Sequence, residues 1–139
     1  MCQIRPSRSE WGAWGMDKHD QPQSLQFATH SAAWGAVLAL RGSLDYETSA
    51  RLGVALERML GQHDLSTVVL DLSELEFCDS SGIGALAMAW KRMRRDGRHL
   101  ALAGAHGLCG RALQRTGLHQ VFAQYPTLAE ADAALSARR

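Results

Sequence analysis

Thr67-Val68-Val69-Leu70-Asp71-Leu72-Ser73-Glu74-Leu75-Glu76-Phe77-Cys78-Asp79-Ser80-Ser81-Gly82-Ile83-Gly84-Ala85-Leu86 is the stretch that decides the fold. It opens with an apolar, β-branched run at residues 68–70, which is typical of a strand buried on both faces of a parallel sheet. It continues into apolar residues at helical spacing, which are Ile83, Leu86, Ala87, Trp90 and Met93. We therefore predict a strand that ends at Asp71, then a polar turn and a helix. Val69, Leu70, Ile83, Leu86 and Trp90 are the expected centre of the core.

The turn Asp79-Ser80-Ser81-Gly82 contains residue types that accept hydrogen bonds from the free N–H groups of a helix's first turn. This predicts that the helix begins at about Ser80 or Ser81. A helix start carries partial positive charge and favours an anion, so a serine there is well placed to carry a phosphate. From the residues alone, a capping role explains Ser80 better than phosphorylation does.

The turn and the residues before it resemble the signature of the STAS domain family (sulfate transporter and anti-sigma factor antagonist), and within it the small bacterial anti-sigma factor antagonists. The resemblance spans roughly residues 25–135. It implies that Ser80 is phosphorylated by a partner kinase, which leaves capping of the helix to Ser81. It also implies that the Gly42-Ser43-Leu44-Asp45 loop lies beside the turn. The implied partner-binding residues are Gly42, Asp45, Asp79, Ser80, Ser81 and Gly82. Cys78 stands where the family has an aliphatic or other small residue.

Length and composition are those of one globular domain. The chain has 139 residues, of which 46% are hydrophobic and 21% charged, and its formal net charge is +1. This balance gives no electrostatic reason to expect nucleic acid or an anionic membrane as a partner. We interpret residues 1–23 as an irregular N-terminal extension and residues 24–139 as the STAS domain. Trp11 and Trp14 are expected to cover the domain's own surface, with binding of a partner as the alternative.

The cysteines indicate a reducing compartment. Cys2, Cys78 and Cys109 are odd in number, widely spaced and in no Cys-x-x-Cys arrangement, so a disulfide framework is not expected. Neither a secretory signal nor an apolar run of membrane-spanning length, about 18 residues, is found. We therefore expect a cytoplasmic protein without membrane association.

Strand and helix signals alternate after an opening pair of strands. The predicted order is β-β-α-β-α-β-α-β-α, which corresponds to an α/β domain with a mixed, mostly parallel sheet of four to five strands and about four helices. Asp45 is expected near the N-cap of the first helix, and a capping box at Thr127 and Glu130 should begin the last helix, which buries Leu128, Ala131 and Leu135. Functional turns in such sheets lie at strand carboxyl ends, so the loops at residues 42–45 and 79–82 should share one edge.

Signals for catalysis are weak. Ser80 is not in a Gly-x-Ser-x-Gly nucleophile elbow, and the histidines (His19, His30, His63, His99, His106 and His119) lack metal-ligand spacing. The pair His106 and Cys109 is interpreted as packing, and Gly82-Ile83-Gly84 is too little for a phosphate-cradling loop. We expect no enzymatic activity, no metal and no cofactor.

The resemblance instead implies a binding module switched by one phosphate. The unphosphorylated protein would bind an anti-sigma factor that is also a serine kinase. This binding would release a sigma factor. Phosphorylation of Ser80 would end the complex, and a serine phosphatase would restore it. The alternatives are a non-phosphorylated STAS subunit of a membrane lipid or anion transporter, and a stressosome-type scaffold component.

Overall fold

A computed structural model describes residues 25–62 and 64–138. The predicted irregular extension at residues 1–23, with Trp11 and Trp14, lies outside the described residues. The described part contains a five-stranded sheet in the order β1-β2-β3-β4-β5, in which β1 is antiparallel to β2 and the other neighbours are parallel. The predicted mixed, mostly parallel α/β architecture is confirmed.

The elements follow the predicted order. The strands are β1 (Gln26–Ala32), β2 (Gly35–Leu44), β3 (Thr67–Cys78), β4 (His99–Ala103) and β5 (Ala123–Tyr125). The helices are α1 (Ser49–Gln62), α2 (Ser80–Arg95), α3 (Gly107–Thr116) and α4 (Leu128–Ala137), with a short 3-10 helix at Leu118–Gln120. None of the helices within the described ranges has both the length and the apolar character needed to cross a bilayer.

The helices divide between the two faces of the sheet. Each parallel pair of strands is joined by one of α1, α2 and α3, and crossovers of one hand place all three helices on the same face. That face holds the larger core, with Leu70, Leu86 and Met93 fully buried. The other face is covered by α4, whose Leu128, Ala131 and Leu135 pack with Trp34 and Val37, as predicted for these three helix residues.

The position of Val69 differs from the expected core. Its side chain packs in the smaller cluster beneath α4, whereas Leu70, Ile83 and Leu86 pack in the larger cluster beneath α1 to α3. Successive side chains of a strand point to opposite faces, so Val69 and Leu70 cannot enter the same core. Trp90 is half-buried at the border of the larger cluster.

β3 is longer than predicted, and Asp71 does not end it. The pairing with β2 shifts between Ala39 and Arg41 and again between Gly42 and Ser43, so β3 carries extra residues opposite β2. Such bulges leave backbone groups without ladder partners. Asp71 is buried, and its Oδ1 accepts a hydrogen bond from Ser73 N at 3.1 Å. A carboxylate that looked like a strand end therefore stabilises a bulge inside the strand.

Candidate functional site

The two predicted loops meet at one edge of the sheet. Leu44 and Cys78, the last residues of β2 and β3, are paired neighbours. One residue further on, Asp79 N donates a hydrogen bond to Leu44 O at 3.2 Å. Because the strands are parallel, the loops that follow them leave the sheet side by side. The expectation that residues 42–45 and 79–82 share an edge is confirmed.

Asp79 is the cap of α2. Its backbone is extended, and its Oδ1 accepts a hydrogen bond from Gly82 N at 3.0 Å. Its second oxygen, Oδ2, accepts one from Tyr46 N at 3.2 Å, in the loop after β2. The helix begins at Ser80, as predicted. The capping role assigned to Ser81 is wrong, because a carboxylate one residue before the helix already binds the N–H that a serine would have capped.

Asp45 organises the neighbouring loop. Its Oδ1 accepts hydrogen bonds from Glu47 N at 3.0 Å and Thr48 N at 3.1 Å. Thr48 Oγ1 in turn donates to Ser43 O at 2.8 Å, so both sides of the loop are fixed. These contacts form a turn that leads into α1, which begins at Ser49. Asp45 therefore caps this turn and not α1 itself, which begins four residues further on.

The two serines have different environments. Ser80 is exposed, and no hydrogen bond to its hydroxyl is found among residues 25–62 and 64–138. Ser81 is half-buried and lines a separate groove between α1 and α2, beside Ala50 and Met88. Ser80 is thus the more accessible serine of the turn. As the first residue of α2, it lies where backbone N–H groups have no helical acceptor.

The two glycines act through the backbone. A Cβ added to Gly82 would lie 2.2 Å from Leu44 O and 2.9 Å from Cys78 Sγ, so α2 can approach β2 this closely only with glycine there. Gly42 is buried in β2 with φ of +106°, where the pairing with β3 shifts. Both predicted site glycines are buried, and they shape the two loops.

An apolar groove beside Ser80 was not predicted. It runs between the start of α2 and α3, and its lining includes Phe77, Ser80, Leu108 and Arg115. Phe77 is 42% exposed and Leu108 48% exposed, while Tyr46 in the adjacent loop is 82% exposed. In the sequence, Phe77 and Leu108 look like core residues, because nothing local indicates which apolar side chains the helices leave uncovered.

The site contains no arrangement typical of metal chemistry. Within the described ranges, no group of three or more His, Cys, Asp or Glu side chains could hold a metal ion. His106, which was interpreted as packing, lies with Nε2 3.1 Å from Ser73 O. The groups that converge at this edge are a hydroxyl, two carboxylates engaged by backbone N–H groups, and exposed apolar side chains. Such a set is suited to binding a protein surface.

Comparison with known proteins gives concordant matches. The STAS domain model matches residues 25–131, which include the whole sheet. The anti-sigma F factor antagonist of Paenibacillus polymyxa is 27% identical over 89 residues, which are 64% of this chain and 76% of that protein.

Solved structures of STAS-related proteins share the fold of this chain. The crystal structure of an anti-sigma factor antagonist from Mycobacterium paratuberculosis superposes with a TM-score of 0.72 at 26% identity, covering 84% of this chain and 97% of that one. A sulfate transporter family protein from Wolinella succinogenes shares the fold, with a TM-score of 0.63 at 18% identity, covering 72% of this chain and 83% of that one. The resemblance found in the sequence is confirmed, and the chain belongs to the STAS domain family.

Proposed function

We propose that this protein is an anti-sigma factor antagonist, a binding protein whose partner surface is switched by phosphorylation of Ser80. The observation that carries the proposal is the exposed Ser80 at the start of α2, between the Asp45 loop and the apolar groove lined by Phe77 and Leu108. Two relatives that are at least a quarter identical to this chain support it: the anti-sigma F factor antagonist of Paenibacillus polymyxa and the anti-sigma factor antagonist of Mycobacterium paratuberculosis.

The unphosphorylated surface has the character of a protein interface. Tyr46, Phe77 and Leu108 are large, exposed apolar side chains at one edge, and Ser80 lies among them. Aromatic side chains surrounded by polar groups are enriched at the centres of protein interfaces. The proposed partner is an anti-sigma factor that is also a serine kinase, and its sequestration releases a sigma factor.

A phosphate on Ser80 would change the charge of this surface. It adds about −1.5 to −2 units at pH 7, close to the Asp79 carboxylate. The N–H groups of Ser80 and Ser81 lie in the first turn of α2, where they can donate to the phosphate. Arg115 supplies a cation to the groove. The fold can therefore accept the modification, while a partner that approaches with an acidic or tightly packed surface is repelled.

The chemistry in this cycle belongs to the partners. The kinase contributes ATP and catalyses transfer to the Ser80 hydroxyl, and a separate serine phosphatase removes the phosphate. The protein contributes a serine that is accessible at a fixed helix start. Asp79, Gly82 and the Asp45 loop hold that start in position.

A transporter-associated STAS subunit is the second candidate. It is compatible with the fold shared with the Wolinella succinogenes sulfate transporter family protein, and at 18% identity that likeness shows the fold alone. Such a subunit has no need of an exposed serine at position 80. The two functions differ in one observable property, because only the switch requires that a phosphate on Ser80 change partner binding.

Phosphorylation can be tested directly. The full chain is incubated with its cognate kinase and ATP, and peptides are mapped by mass spectrometry. We expect one phosphate on Ser80 and none in Ser80→Ala. A phosphate on Ser81 or Thr116 that survives in Ser80→Ala would contradict the assignment.

The partner can be identified by affinity capture from the source cell. Ser80→Ala is the bait that should retain the kinase, and Ser80→Asp is the matched bait that should not. Ser136→Asp places the same charge at an exposed position of α4, on the other face of the sheet. This variant should retain the kinase like the unmodified chain. Equal capture of an ATP-binding anti-sigma factor by Ser80→Asp and Ser80→Ala would overturn the switch.

A further inference from the structure

Two buried cysteines lie together beneath the Ser80 turn. Cys78 is the last residue of β3, and Cys109 lies in the first turn of α3. They are 5% and 4% exposed, neither is in a disulfide, and both belong to the larger core cluster. Leu108 and Ala112, which lie one residue before and three residues after Cys109 in α3, line the same groove as Cys78.

The two thiols are chemically unequal. The Cys78 S–H donates to the carbonyl oxygen of Asp79 at 3.8 Å, and the Cys109 sulfur lies near enough to interact with it. The hydrogen bond that Cys78 donates to Cys109 raises the pKa of Cys78, and burial raises it further. The same hydrogen bond lowers the pKa of Cys109, although burial opposes it. Cys109 is also the third residue of α3, where the helix start favours a thiolate. Cys109 is therefore the thiol that ionises first.

We propose that Cys78 and Cys109 form a reversible disulfide site, oxidised by a hydroperoxide, that links α3 to the carboxyl end of β3. The pair stands one residue before the cap Asp79 and two before Ser80. Neither catalysis nor the phosphorylation switch requires two cysteines in this position.

Oxidation proceeds in two balanced steps. The Cys109 thiolate attacks one peroxide oxygen, so an S–O bond forms, the O–O bond breaks and hydroxide leaves. Cys109 is then a sulfenic acid, oxidised by two electrons, and the peroxide is reduced. The Cys78 sulfur attacks the Cys109 sulfur, the S–S bond forms, and the departing hydroxide takes the Cys78 proton as water. The sum is two thiols and one hydrogen peroxide giving one disulfide and two waters.

The groove gives a small oxidant a route towards the pair, since its lining includes Cys78 and also Leu108 and Ala112, the α3 residues near Cys109. The resulting bond would fix the wall of that groove. Cys78 Sγ packs against the first turn of α2, 2.9 Å from where a Gly82 Cβ would stand, so a sulfur drawn towards α3 alters the contact beneath the turn. The disulfide thereby acts on the same edge that carries Ser80, but through packing.

The test uses the full chain with Cys2→Ser, which leaves the two buried thiols as the remaining cysteines. The protein is treated with hydrogen peroxide, denatured, alkylated and cleaved after lysine and arginine. We expect peptides 59–91 and 99–111 to be found joined, with two hydrogens lost, and to separate on reduction with dithiothreitol. The protein should run as a monomer without reductant, and its titratable thiols should fall from two to none.

The control is the same chain with Cys109→Ala, whose fold is verified by circular dichroism. It should give no joined peptides, and Cys78 should stay titratable at peroxide concentrations that remove both thiols from the parent chain. If Cys109→Ala does not fold, the joined peptides and the thiol titration of the parent chain still test the proposal. Two thiols that persist after treatment, or that gain oxygen separately without joined peptides, would overturn the proposal.

Discussion

Asp79 Oδ2 accepts a hydrogen bond from Tyr46 N at 3.2 Å, although the two residues are 33 apart in the chain. The other oxygen of the same carboxylate caps α2 through Gly82 N at 3.0 Å. One side chain therefore satisfies the start of a helix and a backbone donor of the neighbouring loop. The two parts of the candidate site are held in a fixed relation by this carboxylate.

Asp79→Ala should remove both contacts. Loss of an N-cap costs about 0.5–2 kcal/mol, and the loop at Tyr46 should loosen as well. Asp79→Asn keeps a capping oxygen and should cost less. Thr127→Ala removes the cap of α4, where Thr127 Oγ1 accepts from Glu130 N at 3.1 Å, and serves as the matched control. Urea unfolding measures the stability, and partner binding should fall for Asp79→Ala but not for Thr127→Ala. Equal binding by both would show that the cap has no role at the site.

Gly82→Ala tests the close approach of α2 to β2. Its Cβ would lie 2.2 Å from Leu44 O, a backbone atom that cannot rotate away, and overpacking of this kind costs about 1–3 kcal/mol. Gly84→Ala is the control, since a Cβ there has no neighbour within 4 Å and should stabilise the exposed helix by about 0.5–1 kcal/mol. Opposite shifts of the denaturant midpoint are expected. A neutral Gly82→Ala would mean that the start of α2 is not packed against Leu44.

Leu86→Ala tests the larger core. Leu86 is fully buried on the core side of α2, so truncation should cost about 2–5 kcal/mol. The total unfolding free energy of a small domain is about 5–15 kcal/mol. The same change at Leu108, which is 48% exposed, should cost much less. Guanidinium denaturation of the two variants gives the comparison. Similar midpoints would place Leu86 outside the core.

Ser80→Asp tests the switch. At about 7 Å and an effective dielectric near 20, repulsion from a partner carboxylate is about 2 kcal/mol per charge pair, or about thirtyfold in affinity. Ser80→Ala should bind the anti-sigma factor constitutively, and both variants should melt like the parent, because Ser80 is exposed. Titration calorimetry measures binding, and circular dichroism measures folding. A loss of binding that accompanies unfolding of Ser80→Asp would count against an electrostatic mechanism.

Phe77→Ala and Leu108→Ala test the apolar groove as part of the partner surface. We expect both side chains to be hot spots of the interface, so truncation should cost more than about 1 kcal/mol of binding free energy, roughly fivefold in affinity or more. Val121→Ala is the matched control, since Val121 is also 42% exposed but lines a cleft at the opposite edge, beside Thr67 and His99. Unchanged affinity in Phe77→Ala and Leu108→Ala would exclude the groove from the interface.

Local pattern accounts for much of what the sequence predicted. Three local features depend on hydrogen bonds between residues two to three apart: the start of α2 at Ser80, the turn closed by Asp45 and the cap of α4 at Thr127. Alternation of strands and helices requires parallel strands, and this alone brings the loops after β2 and β3 to one edge. The capping role of Ser81 failed because Asp79, two residues earlier, is an equally good capping residue type, and the sequence does not rank the two.

The sequence by itself determined the element order, the helix start that carries Ser80 and the family to which the chain belongs. Only the tertiary structure decided that Val69 packs beneath α4, that Asp71 stabilises a bulge and that Cys78 meets Cys109. It also decided that Phe77 and Leu108 stay exposed beside Ser80. The physical reason is range: caps and turns are set by neighbours along the chain, whereas burial depends on which distant elements cover a side chain.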